Sequence, residues 1–79
     1  MRPDDLRDLL RRHPFQPLRL HLTNGIVFEI GHPDMAVVER STIKLILPSV
    51  PGTEREAVIA LLHVVWVETI ILTAGPPTS

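Results

Sequence analysis

The side chains able to do chemistry are few, and their spacing does not gather them. The imidazoles are His13, His21, His32 and His63, and the chain has no cysteine. No two of these histidines stand at i, i+2 or i, i+4, the spacings that turn two imidazoles toward one metal without help from distant segments. Thiolate sites and disulfides are excluded outright. The hydroxyls of Thr23, Ser41, Thr42, Ser49 and Thr53 fall among turn-type residues. A nucleophile needs a base that is itself oriented by a third group, and none of these hydroxyls has that context. Glu29, Asp34, Glu39 and Glu68 read as solvent-facing acids on strands or turns. The reading is of a protein that is not an enzyme and holds no metal or cofactor.

Two other groups of residues point to binding. Arg11 and Arg12, followed by Arg19 and His21, form a candidate basic patch able to meet phosphate or an acidic partner; the competing reading is a solvated helix end. With eight basic and nine acidic residues and a net charge of −1, a broad electrostatic footprint for nucleic acid or an anionic membrane is not expected. Trp66 is the one tryptophan in a chain with no tyrosine. By strand alternation it shares a face with Val64 and Glu68. If Val65 and Val67 point to the core, Trp66 points out, and with Ile70 it makes an apolar patch of the kind that marks association surfaces. Trp66, Val64 and Ile70 are therefore the candidate subunit interface. The alternative packs Trp66 under the N-terminal segment against Leu6 and Leu10.

The elements that position these residues follow from periodicity. Residues 4–12 carry Leu6, Leu9 and Leu10 at i, i+3 and i+4, a helical stripe, with Asp4 or Asp5 placed to cap it and Pro14 to end it. The period then changes to two. Leu18, Leu20 and Leu22 alternate with Arg19, His21 and Thr23, and Ile26, Phe28 and Ile30 alternate with Val27 and Glu29. Asn24–Gly25 between them predicts a two-residue hairpin turn. Further strands are expected at Ala36 to Arg40 and Ile43 to Leu47, with a turn at Ser41–Thr42. The apolar stretch from Val58 to Ile71 is long enough for a helix, but its β-branched residues favour a strand near 56–61, a turn at Leu62–His63 and a strand from Val64 to about Thr69. One long bent strand is the alternative. Residues 75–79 read as a disordered tail.

The sum is one domain over residues 1–79: mainly β with one N-terminal helix, its strands forming a small, strongly bent antiparallel sheet or a barrel over about 17–72. Its core must be built from Leu, Ile and Val. A chain of this length without disulfides has a thin stability margin, which favours a compact core or self-association. No secretory signal or membrane span is read from the sequence, so a cytoplasmic protein is expected.

The order of helix, PLRLHLTNGIVFEI hairpin and late apolar strands ending VIALLHVVWVE resembles the Sm-like small barrels, whose bacterial member is an RNA chaperone. That likeness implies a five-stranded SH3/Sm-like barrel, a tendency to form homo-oligomers, and RNA as a partner class. Sm-like proteins use aromatic and basic residues in a ring pore; here there is no tyrosine and no lysine beside His63, so RNA is the second choice. The run LRDLLRRHPFQPLRLHLTNG, with HPD and ALLHVV later, resembles a set of short uncharacterised bacterial proteins carrying an LRxLLRxxPFxP, HPD/E and LLH pattern, and this likeness covers nearly the whole chain. His32-Pro33-Asp34 is also similar to the tripeptide of J-domain co-chaperones. That tripeptide belongs between two long helices, whereas strands flank it here, so a rigid turn is expected. The function read from the sequence is a non-catalytic binding and assembly module, self-associating, with a protein partner or an Sm-like RNA-binding role as alternatives.

Overall fold

Proline opens the first element. In the computed structural model, which describes residues 1–71, helix α1 runs Pro3–Leu10 with Pro3 in its first turn, where a missing N–H costs nothing. Asp4 and Asp5 therefore lie inside the first turn and favour the dipole from there. They are not the cap: the N-cap position is Arg2, which makes no side-chain capping bond. The helix ends at Leu10, two residues before the expected boundary, and Arg11 is its C-cap, donating its N–H to the Arg7 carbonyl. Leu6 is completely buried, while Leu9 and Leu10 are half-buried against the same core.

Six strands follow among the described residues: β1 (Leu18–Leu22), β2 (Val27–Ile30), β3 (Ala36–Val38), β4 (Thr42–Leu47), β5 (Arg55–Ala60) and β6 (Val64–Thr69). They form two three-stranded antiparallel sheets, ordered β2-β1-β6 and β3-β4-β5. The protein is thus mainly β with one N-terminal helix. Two short 3-10 turns carry the chain from one sheet to the other. Pro33–Met35 joins β2 to β3, and Leu61–His63 joins β5 to β6. The 75–79 tail and the end of the expected 17–72 span lie outside the described residues.

Alternation puts the aliphatic residues inside. Leu18 and Leu20 of β1 pair with Ile30 and Phe28 of β2. Ile43 and Leu45 of β4 pair with Ile59 and Ala57 of β5. With Leu6, Leu61 and Val64 these residues make one core drawn from both sheets and the helix, and every fully buried member is Leu, Ile or Val. The division of the late apolar run into strand, turn and strand matches the expectation, and no helix forms across 58–71.

Three local expectations are corrected. The first hairpin has a three-residue loop, Thr23–Gly25. The Gly25 N–H donates to the Leu22 carbonyl, and Leu22 bonds back to Ile26. Only Gly25 takes positive φ, at 84°; Asn24 instead accepts the Ile26 N–H on its Oδ1. A local side-chain bond thus replaced the left-handed angle that a two-residue turn demands of Asn. The third strand stops at Val38, and the next turn falls on Arg40–Ser41, because the Glu39 N–H already bonds to the Thr42 carbonyl. At His32-Pro33-Asp34 the rigid turn is a single 3-10 turn, and the expectation that Asp34 would cap it fails: Asp34 sits within the turn, and no side-chain cap forms at His32.

Candidate functional site

The outer face of the β2-β1-β6 sheet brings together five of the residues singled out above: Arg19, His21, Glu29, Trp66 and Glu68. Register places Glu29, Arg19 and Glu68 in one cross-strand row and Val27, His21 and Trp66 in the next. In the first row Arg19 Nε donates to Glu29 Oε1 at 2.9 Å, and its guanidinium lies 3.8 Å from Glu68. In the second, the rings of His21 and Trp66 stack with centroids 3.7 Å apart and planes 8° from parallel. His21 Nε2 reaches Glu68 Oε1 at 3.2 Å, which ties the two rows together. Trp66 remains 52% exposed. It points outward, as one of the two sequence readings held, and it does not pack under the helix.

The same strand corrects the reading of its neighbours. Leu22 pairs with Val64 and His21 with Trp66, so Val65 has no partner on β1 and forms a bulge. The extra residue breaks strict alternation. Val64 turns into the core at 6% exposure and does not share the face of Trp66, while Val65 is 61% exposed. Of the two residues whose inward turn would put Trp66 outside, Val67 packs against the core and Val65 does not, and Val64 is not available to a surface patch. Ile70 is half-buried, its N–H donated to the Pro17 carbonyl.

The basic group is dispersed. Arg19 and His21 come together, but with two carboxylates among them. Arg12 bonds Gln16 Oε1 beyond the helix end, and Arg11 is exposed at the C-cap. Among the described residues no group of three or more His, Asp or Glu side chains converges as metal ligands would. His32 lies 3.7 Å from Asp34 on an exposed turn. His63 is hydrogen-bonded through Nδ1 to Thr23 Oγ1 at 3.3 Å, beside a backbone bond from the Thr23 N–H to the His63 carbonyl. This Thr–His pair has no third group to orient it, so it reads as a clip between the first hairpin and the 61–63 turn. Neither that pair nor the His21–Trp66 stack was legible in sequence, because both require knowing that β1 lies beside β6.

The ladder bonds reveal which backbone groups are spare. The Leu61 N–H donates to the Ser41 carbonyl, which makes Ser41 and Leu61 a hydrogen-bonded pair. Bonded and non-bonded pairs alternate along an antiparallel ladder. On β5, then, Arg55, Ala57 and Ile59 bond to β4, and the N–H and C=O groups of Glu56, Val58 and Ala60 point away from it. By the same logic, the Ile70 bond to Pro17 turns the backbones of Glu68 and Trp66 toward β1 and those of Val67 and Thr69 outward. Both β5 and β6 are edge strands, and those outward groups have no backbone partner among the described residues.

No protein-family model, curated protein or solved structure matches the chain. Among the described residues no helix is long and apolar enough to cross a membrane.

Proposed function

We propose that this chain is a non-catalytic assembly module, a small SH3/Sm-like barrel that associates with copies of itself through its late strands and the face bearing Trp66. The barrel reading draws support from the two corners. If β2 and β3 are counted as one strand bent at Pro33–Met35, five strands run from β1 to β6, and β6 returns to pair with β1. The observation that carries the assembly reading is Trp66 itself: a half-exposed tryptophan on an edge strand whose next outward backbone groups, Val67 and Thr69, have no partner among the described residues. Tryptophan is enriched at contact hot spots, and an unpaired strand edge is a template for another chain.

Nucleic-acid binding is the weaker reading. The two basic residues of β1 are engaged by Glu29 and Glu68, and phosphate binding needs cations that are free to release counterions. Size-exclusion chromatography with light scattering tests the proposal. An oligomer at high micromolar concentration is expected, with Trp66→Ser shifting it toward monomer. A monomer throughout would overturn the proposal, and salt-sensitive RNA binding by that monomer would put the nucleic-acid reading in its place.

A further inference from the structure

The edges presented by the late strands, β5 and β6, are not equivalent. Edge strands in stable monomers are blunted by bulges, prolines or lysines that stop another chain from pairing. On β6 the bulge at Val65 interrupts the strand before Trp66 and leaves only the outward groups of Val67 and Thr69 beyond it. β5 has neither bulge nor proline: its register with β4 is unbroken over all six residues, and its two charges, Arg55 and Glu56, fall together at its first end, leaving AVIA uncharged. Val58 at its middle is 58% exposed. A groove of about 480 Å³ runs along this strand, with residues 57–60 on one side and Leu22, Ile26 and Phe28 on the other. Successive strand side chains point to opposite faces. A groove touching four in a row therefore passes along the edge, where the spare N–H and C=O groups are.

We infer that a second copy of the chain docks on this edge, β5 against β5 in antiparallel two-fold register with Val58 opposite Val58 of the other copy. This rests on the assembly reading above and assigns its first contact. Three features select the register. It pairs the outward backbone groups of Glu56, Val58 and Ala60 with those of Ala60, Val58 and Glu56, so that none is left over, and each such pair exchanges two hydrogen bonds. It keeps Glu56 opposite Ala60 of the other copy, whereas sliding the strands until Glu56 faces Glu56 would set like charges against each other. It also places small against large on the inner face, Ala57 opposite Ile59 of the other copy. On the outer face the two Val58 side chains meet and cover each other.

Because the chain has no cysteine, single engineered thiols report the register. The proposed pairing sets the two residues 58 about 5.5 Å apart at Cα, the spacing of a hydrogen-bonded pair, inside the roughly 4.4–6.8 Å span of disulfides. The experiment oxidises Val58→Cys, Glu56→Cys and Val67→Cys separately, with a short bifunctional thiol reagent in parallel. It also oxidises a mixture of Glu56→Cys with Ala60→Cys. Nearly complete conversion of Val58→Cys to covalent dimer is expected, with Glu56→Cys staying monomeric alone and crosslinking only to Ala60→Cys. Crosslinking through Val67→Cys in place of Val58→Cys would overturn this register while leaving self-association intact. A chain that neither crosslinks nor elutes above monomer mass overturns both.

Discussion

Replacing Leu6 by alanine measures how the N-terminal helix is held. α1 has eight residues, too short to persist alone in water. Leu6 is its one fully buried side chain, at 0% exposure, and lies in the cluster shared with Leu18, Leu20, Ile43 and Leu45. Truncating a leucine in such a place removes its transfer free energy and leaves a cavity, about 2–5 kcal/mol in all. Domains are stable by roughly 0.05–0.15 kcal/mol per residue, so 79 residues correspond to about 4–12 kcal/mol. The substitution therefore takes a large share of the total. Leu9, half-buried on the same stripe, should cost about 1 kcal/mol when truncated, in proportion to the smaller apolar area lost. Urea unfolding followed by far-ultraviolet circular dichroism gives both values under identical conditions. If Leu6→Ala lowers stability by less than about 1 kcal/mol, or no more than Leu9→Ala, then the helix is not anchored through Leu6 and the shared core described here is wrong.

Two further outcomes follow from local geometry. His21→Ala removes the ring stacked on Trp66 and the bond to Glu68; a loss of about 0.5–1.5 kcal/mol is expected, as for other stacked pairs. The near-ultraviolet dichroism of the single tryptophan should collapse while the far-ultraviolet spectrum stays unchanged, and an unaltered near-ultraviolet band would refute the stack. Gly25→Ala, at φ 84°, should cost more than about 1 kcal/mol in thermal or urea unfolding. Gly31→Ala, where φ is not positive and the space is open, should be neutral or stabilising by about 0.4–1 kcal/mol; equal effects at the two glycines would contradict the three-residue hairpin loop.

The parts of this fold that were legible in sequence are those fixed by local rules. Alternation of leucines with Arg19 and His21 placed β1, the turn residues placed the first hairpin, and β-branched crowding favoured a split at Leu62–His63, one residue short of the observed turn, over a helix. What alternation cannot register is an insertion of one residue in a ladder. The bulge at Val65 depends on how β6 meets β1, forty residues away in the chain, and it moved Val64 from the expected surface patch into the core. The same long-range pairing set His21 on Trp66 and brought Glu68 to Arg19, so an arginine and a histidine that looked free in sequence are engaged by carboxylates. The two-residue turn failed for a different reason: Asn24 had a cheaper option in bonding the Ile26 N–H. The helix boundary moved because Pro3 is favoured inside the first turn as well as before it.

These differences bear on the choice between nucleic acid and another copy of the chain as partner. The outer face of the β2-β1-β6 sheet satisfies its charges internally, with one arginine set between two glutamates and His21 joining Glu68 to the Trp66 ring, and leaves Trp66 half-exposed. The row of Glu29, Arg19 and Glu68 holds two carboxylates to one guanidinium, the wrong sign for a phosphate backbone. The outer face of the β3-β4-β5 sheet is the opposite case. Val37 and Val58 flank Lys44 in one row, Ile46 lies in the next, and all three aliphatic side chains stay more than half exposed. Lys44 is drawn aside to Glu39, so it does little to screen them. A face of this composition beside an unblunted edge gains free energy when another apolar strand extends it, and nothing comparable is offered to an anion. The charges around Arg19 are satisfied within their own sheet, whereas on the other sheet the exposed centre of the outer face is hydrocarbon beside unpaired backbone.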